Sequence, residues 1–467
     1  MSDLTHRLEA AGQSRLAASL DALNGPAREH LAAQCEALDL ALVSRLVDAF
    51  VRVEAPAPLS ADIGPARVDR LPSDEAGAAR RREAREAGEA ALRAGRVAVV
   101  LLAGGDGTRL GLDAPKGVLS IGPVSNASLF EIHAAGVAAT RQRYACDLPW
   151  FLMTSPGNDA DITEFLDQHA LFGLMPGSVR TFVQGTMPAV DRVSGDILRE
   201  APDRLALSPD GHGGIFRAMG QAAILGELEG RGIDVIMTFQ VDNPLMRVAD
   251  PELIGAHVLA RAEMSTLVVA KVAPEERMGV MATVDGRTAL VEYSDLPSHL
   301  EAAREADGSL TYWAGSTGVH CLDRDFARRL AVGEVPLPFH RADKQVPFVA
   351  DDGSLVDPPE PNAAKFEAFM FDALLLAERT ATVEMARAER FSPVKNADGA
   401  DSPATARRHM VARAAGWLDA AGVTVPRDAA GDSAVPIEID PRYALDAEAL
   451  AGRVQTDLVI TAPLLLR

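Results

Sequence analysis

Residues 101–117 read LLAGGDGTRLGLDAPKG, and the reading of this stretch decides the fold. It follows an apolar run, VAVVLL at 97–102, as a turn follows a buried strand. Gly104, Gly105, Gly107 and Gly111 crowd into eight residues, removing Cβ atoms where backbone N–H groups must approach a ligand closely. Arg109 and Lys116 add two cations to the same loop, as a polyanion whose charge migrates during reaction requires. A nucleoside triphosphate fits that description. A Walker A loop does not, because Lys116 stands between Pro115 and Gly117 and lacks the following Ser or Thr. A dinucleotide fingerprint fits poorly: the interval from Gly107 to Gly111 is one residue too long, and Pro115 interrupts any helix begun there. The remaining alternative is a plain turn that only punctuates the chain.

Working outward, short apolar runs alternate with helical stretches: WFLMT at 150–154, VIMTFQV at 235–241 and TLVVAKV at 266–272. That alternation predicts an α/β domain around a mixed, mostly parallel sheet of Rossmann-like type. The first two of these runs stop at Ser155-Pro156-Gly157 and Asp242-Asn243-Pro244, and such strand ends line the ligand crevice of open α/β sheets. Leucines at near-helical spacing (Leu16, Leu20, Leu23, Leu31, Leu38, Leu42) and an Ala/Arg-rich stretch at 77–95 predict a helical N-terminal region over 1–95, split by APAPLS at 55–60. The central binding domain is expected over 96–405. A small C-terminal α+β region follows over 406–467, with strands at 437–439 and 458–460.

Composition sets the outer bounds. The 467 residues, 48% hydrophobic and 24% charged, suffice for two or three domains. With 46 Lys and Arg against 66 Asp and Glu, the net charge of −20 repels nucleic acid and anionic membrane, so neither is an expected partner and an anionic substrate needs local cations. Cys35, Cys146 and Cys321 are too scattered for a zinc site or a disulfide framework, which points to a reducing cytoplasm. No apolar run approaches a membrane span, and MSDLTHR does not open like an export signal.

Five further segments carry chemistry. In VQGTMPAV, the amide of Gln184 can donate to and accept from the edge of a nucleobase. In SPDGHGGIFRA at 208–218, glycines including Gly211 again strip a turn and leave His212 among them; a hydrogen-bonded structural histidine is the plain alternative. Asp242 stands just past an apolar run, suited to a magnesium ion bridging phosphate oxygens, or else to a helix N-cap before Pro244. Glu292 in VEYSDLP suits sugar hydroxyls, and Lys365 and Lys395 offer cations away from the loop. No serine-histidine-acid arrangement, thiol motif or glycosidase-like carboxylate pair is signalled. What remains suits in-line phosphoryl or nucleotidyl transfer, with the substrate supplying the nucleophile.

As an ordered set, AGQ at 11–13, the opening loop, VQGTMPA, SPDGHGGIFRAM, VDNPLMRVADP, VEYSDLP, PFHRADKQVPFV and FSPVKNADGADSPATAR resemble the eukaryotic-type UDP-sugar pyrophosphorylases, the UDP-N-acetylglucosamine branch above all. The resemblance implies a magnesium-dependent uridylyltransferase with a glycosyltransferase-A-like nucleotide domain. It would join UTP to a sugar 1-phosphate, N-acetylglucosamine 1-phosphate first, with glucose 1-phosphate or a broad sugar range as the alternative, acting as a monomer or weak homodimer. Carried across, it gives Leu102, Ala103, Gly104 and Gly105 to the nucleotide as backbone, and Arg109, Lys116 and Lys365 to its phosphates. Gln184 and Gly211 would read uracil, Asp242 the metal or nucleotide, Glu292 the sugar hydroxyls and Lys395 the sugar phosphate. Two letters depart from the branch: His212 replaces the Asn of its DGNGG segment, as in the GHG segment of UDP-glucose enzymes, and Ser316 replaces the Asn of its AGN segment. Both positions are expected to face the sugar.

Overall fold

The computed structural model describes residues 3–53, 62–105, 107–350 and 352–467; the APAPLS stretch and Asp106 lie outside them. By internal contacts the chain forms two compact units, each drawn from separated stretches: one from 1–61, 184–217 and 336–372, the other from 62–183, 218–335 and 373–467.

The larger unit is built on a ten-stranded sheet: β1 (Ile63–Pro65), β2 (Val97–Leu102), β3 (Trp150–Thr154), β4 (Val179–Val183), β5 (Val235–Gln240), β6 (Met264–Ala270), β7 (Val280–Val284), β8 (Arg287–Val291), β9 (Ala314–Asp323) and β10 (Thr380–Glu384). The main path runs β1-β7-β9-β5-β2-β3-β4, with β8 beside β7 and β6 between β9 and β10. β5, β2, β3 and β4 are mutually parallel, as are β6 and β10, while β9 runs antiparallel to both β5 and β6. The sheet is thus mixed as expected, although antiparallel pairing takes a larger share than the apolar runs suggested. Every residue of β2 and β3 is buried, which explains their unbroken apolar letters: a central parallel strand is covered on both faces. Fully buried Phe130, Trp150 and Phe239 sit in one continuous core with them, each contributing roughly 2–3 kcal/mol of transfer free energy.

One strand lies two residues earlier than its letters implied, because Met264 and Ser265 already pair with β9 and β10 while Lys271 turns away to donate to the Pro274 carbonyl. The expected strand at 458–460 is absent. Leu464–Leu466 instead pairs in parallel with Ile437–Ile439, and Leu458 closes a turn on the Gln455 carbonyl. Residues 458–460 and Leu464–Leu466 are equally apolar as letters, and only the latter stretch pairs.

In the smaller unit, helices Asp3–Ala10, Ser14–Ala22, Gly25–Ala37 and Leu40–Phe50 pack Leu8, Leu20, Leu31 and Val43 into one core with Val190, Ile197 and Phe366. The strand Ala363–Ala368 pairs antiparallel with Phe339–Lys344 and with Val190–Asp191. The AGQ segment has a structural task here. Buried Gln13 donates to the Gly195 carbonyl and accepts from the Ile197 N–H, fastening the first helices to a distant turn.

Candidate active site

Register places the key segments of the larger unit. Gln240 of β5 pairs with Leu102 of β2, so the glycine loop and Asp242 leave the sheet at the same edge. β9 runs the other way, and its first residues reach that edge too, with Gly318 in a left-handed conformation against the Gln240 side chain. Leu102 and Ala103 are buried, and the Asn158 amide donates to the Ala103 carbonyl. Beyond them the glycines divide by task. A Cβ on Gly107 would meet the Ala114 carbonyl and Leu112 Cβ at 2.7 Å, so that residue serves the loop's own packing, and Gly111 takes φ +70°. A Cβ on Gly105 would meet nothing within 4 Å. This position is open to a ligand.

Lys116 Nζ lies 3.2 Å from Asp242 Oδ2, joining the two ends of the site across the sheet edge. Asp242 is buried at 6% exposure, and the neighbouring Asn243 holds the chain around it. Asn243 Oδ1 accepts from the Leu245 and Ser392 amides while its Nδ2 donates to the Arg390 carbonyl. The cap reading of Asp242 fails here, since Asp250 caps the next helix, Pro251–Leu259. His133 Nε2 donates to the Val241 carbonyl at 2.9 Å; burial pulls its pKa down to about 4, so the ring is neutral near pH 7.

The same stitching brings in Lys395. The Val394 amide donates to the Asp242 carbonyl, and the amides of Lys395 and Asn396 share the Asp401 carbonyl. Lys395 Nζ lies 6.0 Å from the centroid of the Phe391 ring, over which Arg387 also sits. Arg387 is a cation the sequence reading passed over; only its place just past β10 marks it. Glu292 and Ser316 meet around Gly279: the Ser316 amide donates to the Gly279 carbonyl, and Glu292 Oε1 lies 3.3 Å from where a Cβ on Gly279 would stand. Arg109 is exposed, with no hydrogen bond or ion pair among the described residues.

In the smaller unit Gln184 Nε2 donates to the Gly211 carbonyl at 2.6 Å and lies 3.3 Å from Asp210 Oδ1. His212 does not project from its glycine turn. Its ring lies against Phe369 and Phe371, centroids 5.4 and 5.5 Å away, and Nδ1 accepts from the Met370 amide. That bond leaves the proton on Nε2, and burial lowers the pKa to about 4. The glycines beside it serve packing: a Cβ on Gly211 or Gly213 would strike Ala368, and one on Gly214 would strike the Asp210 carboxylate. Lys365, in the strand Ala363–Ala368, alternates with the core residues Ala364 and Phe366 and is partly buried.

Comparison with known proteins fixes the lineage. The family pattern described as UTP–glucose-1-phosphate uridylyltransferase matches residues 56–408. The chain belongs to this family. Among uridylyltransferase-family relatives, it is 36% identical to the human UDP-N-acetylhexosamine pyrophosphorylase-like protein 1, over 97% of this chain and 94% of that one. It is 35% identical to the UDP-N-acetylglucosamine pyrophosphorylase of Saccharomyces cerevisiae, over 72% of each. The crystal structure of the Trypanosoma brucei uridine diphosphate N-acetylglucosamine pyrophosphorylase superposes with a TM-score of 0.84 at 24% identity, covering 100% of this chain and 99% of that chain, which establishes the common fold.

Proposed function

We propose that this uridylyltransferase joins UTP to N-acetylglucosamine 1-phosphate, releasing pyrophosphate and forming the UDP-sugar, in the cytoplasm. The reading is carried by the Lys116–Asp242 pair at the sheet edge, with the Lys395 loop hydrogen-bonded to the same aspartate. The names of the yeast and human relatives favour the N-acetylated sugar.

In this reaction a phosphate oxygen of the sugar 1-phosphate attacks the α-phosphorus of UTP, a new P–O bond forms, and the α–β bridging bond breaks in line. The protein's task is to position the reactants and neutralise charge. Gly104 and Gly105 offer backbone N–H groups to the triphosphate; by the family resemblance Arg109, Lys116 and Lys365 are assigned to its phosphates, and Lys395 to the sugar phosphate. By the same resemblance Gln184 and Gly211 are assigned to uracil, and Glu292, His212 and Ser316 to the sugar. Asp242 pairs with Lys116, an ion pair that a phosphate oxygen of UTP can replace.

Asp242 also fits magnesium. The described residues contain no cluster of three or more His, Cys, Asp and Glu side chains able to enclose a metal. One buried carboxylate beside a phosphate loop is nonetheless the donor set for an ion that keeps water and phosphate oxygens as its other ligands. Such an ion, when bound, neutralises charge building on the departing pyrophosphate. The test is UDP-sugar formation from UTP and magnesium with a panel of sugar 1-phosphates. The expected outcome is a higher kcat/KM for N-acetylglucosamine 1-phosphate than for glucose 1-phosphate; the reverse order would move the assignment to glucose.

A further inference from the structure

The glycine loop does not end freely. It runs into residues 120–128, which fold into a tight turn: Ile121 and Gly122 donate to the Ala127 carbonyl, Asn126 donates back to the Gly122 carbonyl, and Asn126 adopts φ +59°. Ser128 then caps the helix Leu129–Tyr144. Within this turn the amides of Val124 and Ser125 find no partner in the turn itself. Both donate to one oxygen of Glu438, each at 2.8 Å, and Ser125 Oγ donates to the other at 2.6 Å. Glu438 comes from the C-terminal strand Ile437–Ile439, more than 300 residues away, and is 7% exposed. A second tie runs from the C-terminal helix Pro403–Ala420, whose Arg407 donates to the Ser120 carbonyl at 2.7 Å. A third joins Asp446 to Arg143 and to Arg247 in the segment that follows Asp242.

We infer that Glu438 is a positioning residue for the triphosphate loop: the C-terminal segment sets the exit of residues 103–119 and so tunes UTP binding. The inference rests on the assignment of that loop to UTP. A carboxylate is the right group for the task, because three donors converge on its two acceptor oxygens. Glutamine in its place keeps the shape but presents an NH2 to one set of donors.

The experiment is calorimetric titration of UTP with magnesium into wild type, Glu438→Gln and Arg407→Met, together with the KM for sugar 1-phosphate of each. The expected result is UTP affinity reduced about tenfold in Glu438→Gln, the fold-change of losing one charge-assisted contact. A smaller loss in the same direction is expected for Arg407→Met, with the sugar 1-phosphate KM held in both. Wild-type UTP affinity in both variants overturns the positioning role, and so does an equal weakening towards both substrates, which marks general loosening. A wild type that binds no UTP overturns the loop assignment itself. Arg407→Met alters a side chain at the surface, so it keeps the test open if Glu438→Gln does not fold.

Discussion

The chain contains two glycine-dense turns that look alike as letters and differ as objects. At 103–117 the loop is secured at its ends, Gly105 faces open space, Arg109 is exposed, and Lys116 is held by one ion pair that a ligand can displace. At 208–218 the glycines are there because backbone and carboxylate atoms of Ala368 and Asp210 fill the places their Cβ atoms would take. The histidine between them is locked against two phenylalanines. Glycine density therefore marks close approach without saying what approaches. In the first turn it is room for a ligand; in the second it is the protein itself.

The largest effect is expected at the open turn. Lys116→Ala should lower kcat/KM for UTP by about two or more powers of ten, since it removes a cation from a desolvated phosphate site; Lys395→Ala should match it on the sugar 1-phosphate side. Steady-state kinetics with each substrate varied in turn check both, and near-wild-type rates would remove the assigned roles.

The sharpest contrast is between Gly214→Ala and Gly105→Ala. A methyl group at 214 meets the Asp210 carboxylate in a packed interior and should cost about 2–3 kcal/mol of stability, read from denaturant unfolding. At 105 the same methyl group meets only open space, so unfolding should shift by less than about 0.5 kcal/mol. UTP affinity should nevertheless fall roughly tenfold, because the ligand's phosphates would meet that methyl group. Equal destabilisation by both would erase the distinction between the turns.

Smaller effects belong to His212. Its pKa near 4 lies below the ordinary histidine value of about 6.5, so the ring stays neutral as pH falls from 8 to about 5.5 and charges only as pH approaches 4. The ratio of kcat/KM for N-acetylglucosamine 1-phosphate over glucose 1-phosphate should be flat across that range; a step near pH 6.5 would show an exposed ring. By linkage, the unfolded chain takes up a proton at about 6.5 while the folded chain waits until about 4, so this group's contribution to stability is present above 6.5 and is lost as pH drops through that window. Buried His133 and His257, both lowered to about 4, add in the same direction. His212→Asn should move the sugar preference a few-fold towards the N-acetylated substrate, a modest change because a single polar contact is exchanged. An unchanged ratio would turn attention to Ser316.

Much of this was legible in the letters for a physical reason. Fully buried parallel strands have to be apolar throughout, so β2, β3 and β5 could be placed almost to the residue, and with them the loop and Asp242 at one edge. The pairing of Lys116 with Asp242 follows from adjacency of β2 and β5, which the alternating pattern suggested without fixing. Other features had no local signal. The glycines around His212 are visible in sequence, whereas Ala368, Phe369 and Phe371, which pack against them and the ring, arrive from the end of the strand Ala363–Ala368 and the turn after it. Asn158, Asn243 and Glu438 bond backbone carbonyls or amides of distant segments, and an asparagine or glutamate that holds a remote turn is spelled like any surface residue. Arg387 joins Lys395 only because Phe391 carries both.

The central claim is that the open loop receives a triphosphate whose α-phosphorus is attacked by a second substrate. It is tested most directly by following pyrophosphate release from UTP with magnesium, with and without sugar 1-phosphate. Pyrophosphate is expected only when both substrates are present, matched by an equal amount of UDP-sugar. Pyrophosphate formed without the sugar, or none formed with any sugar 1-phosphate, would contradict it.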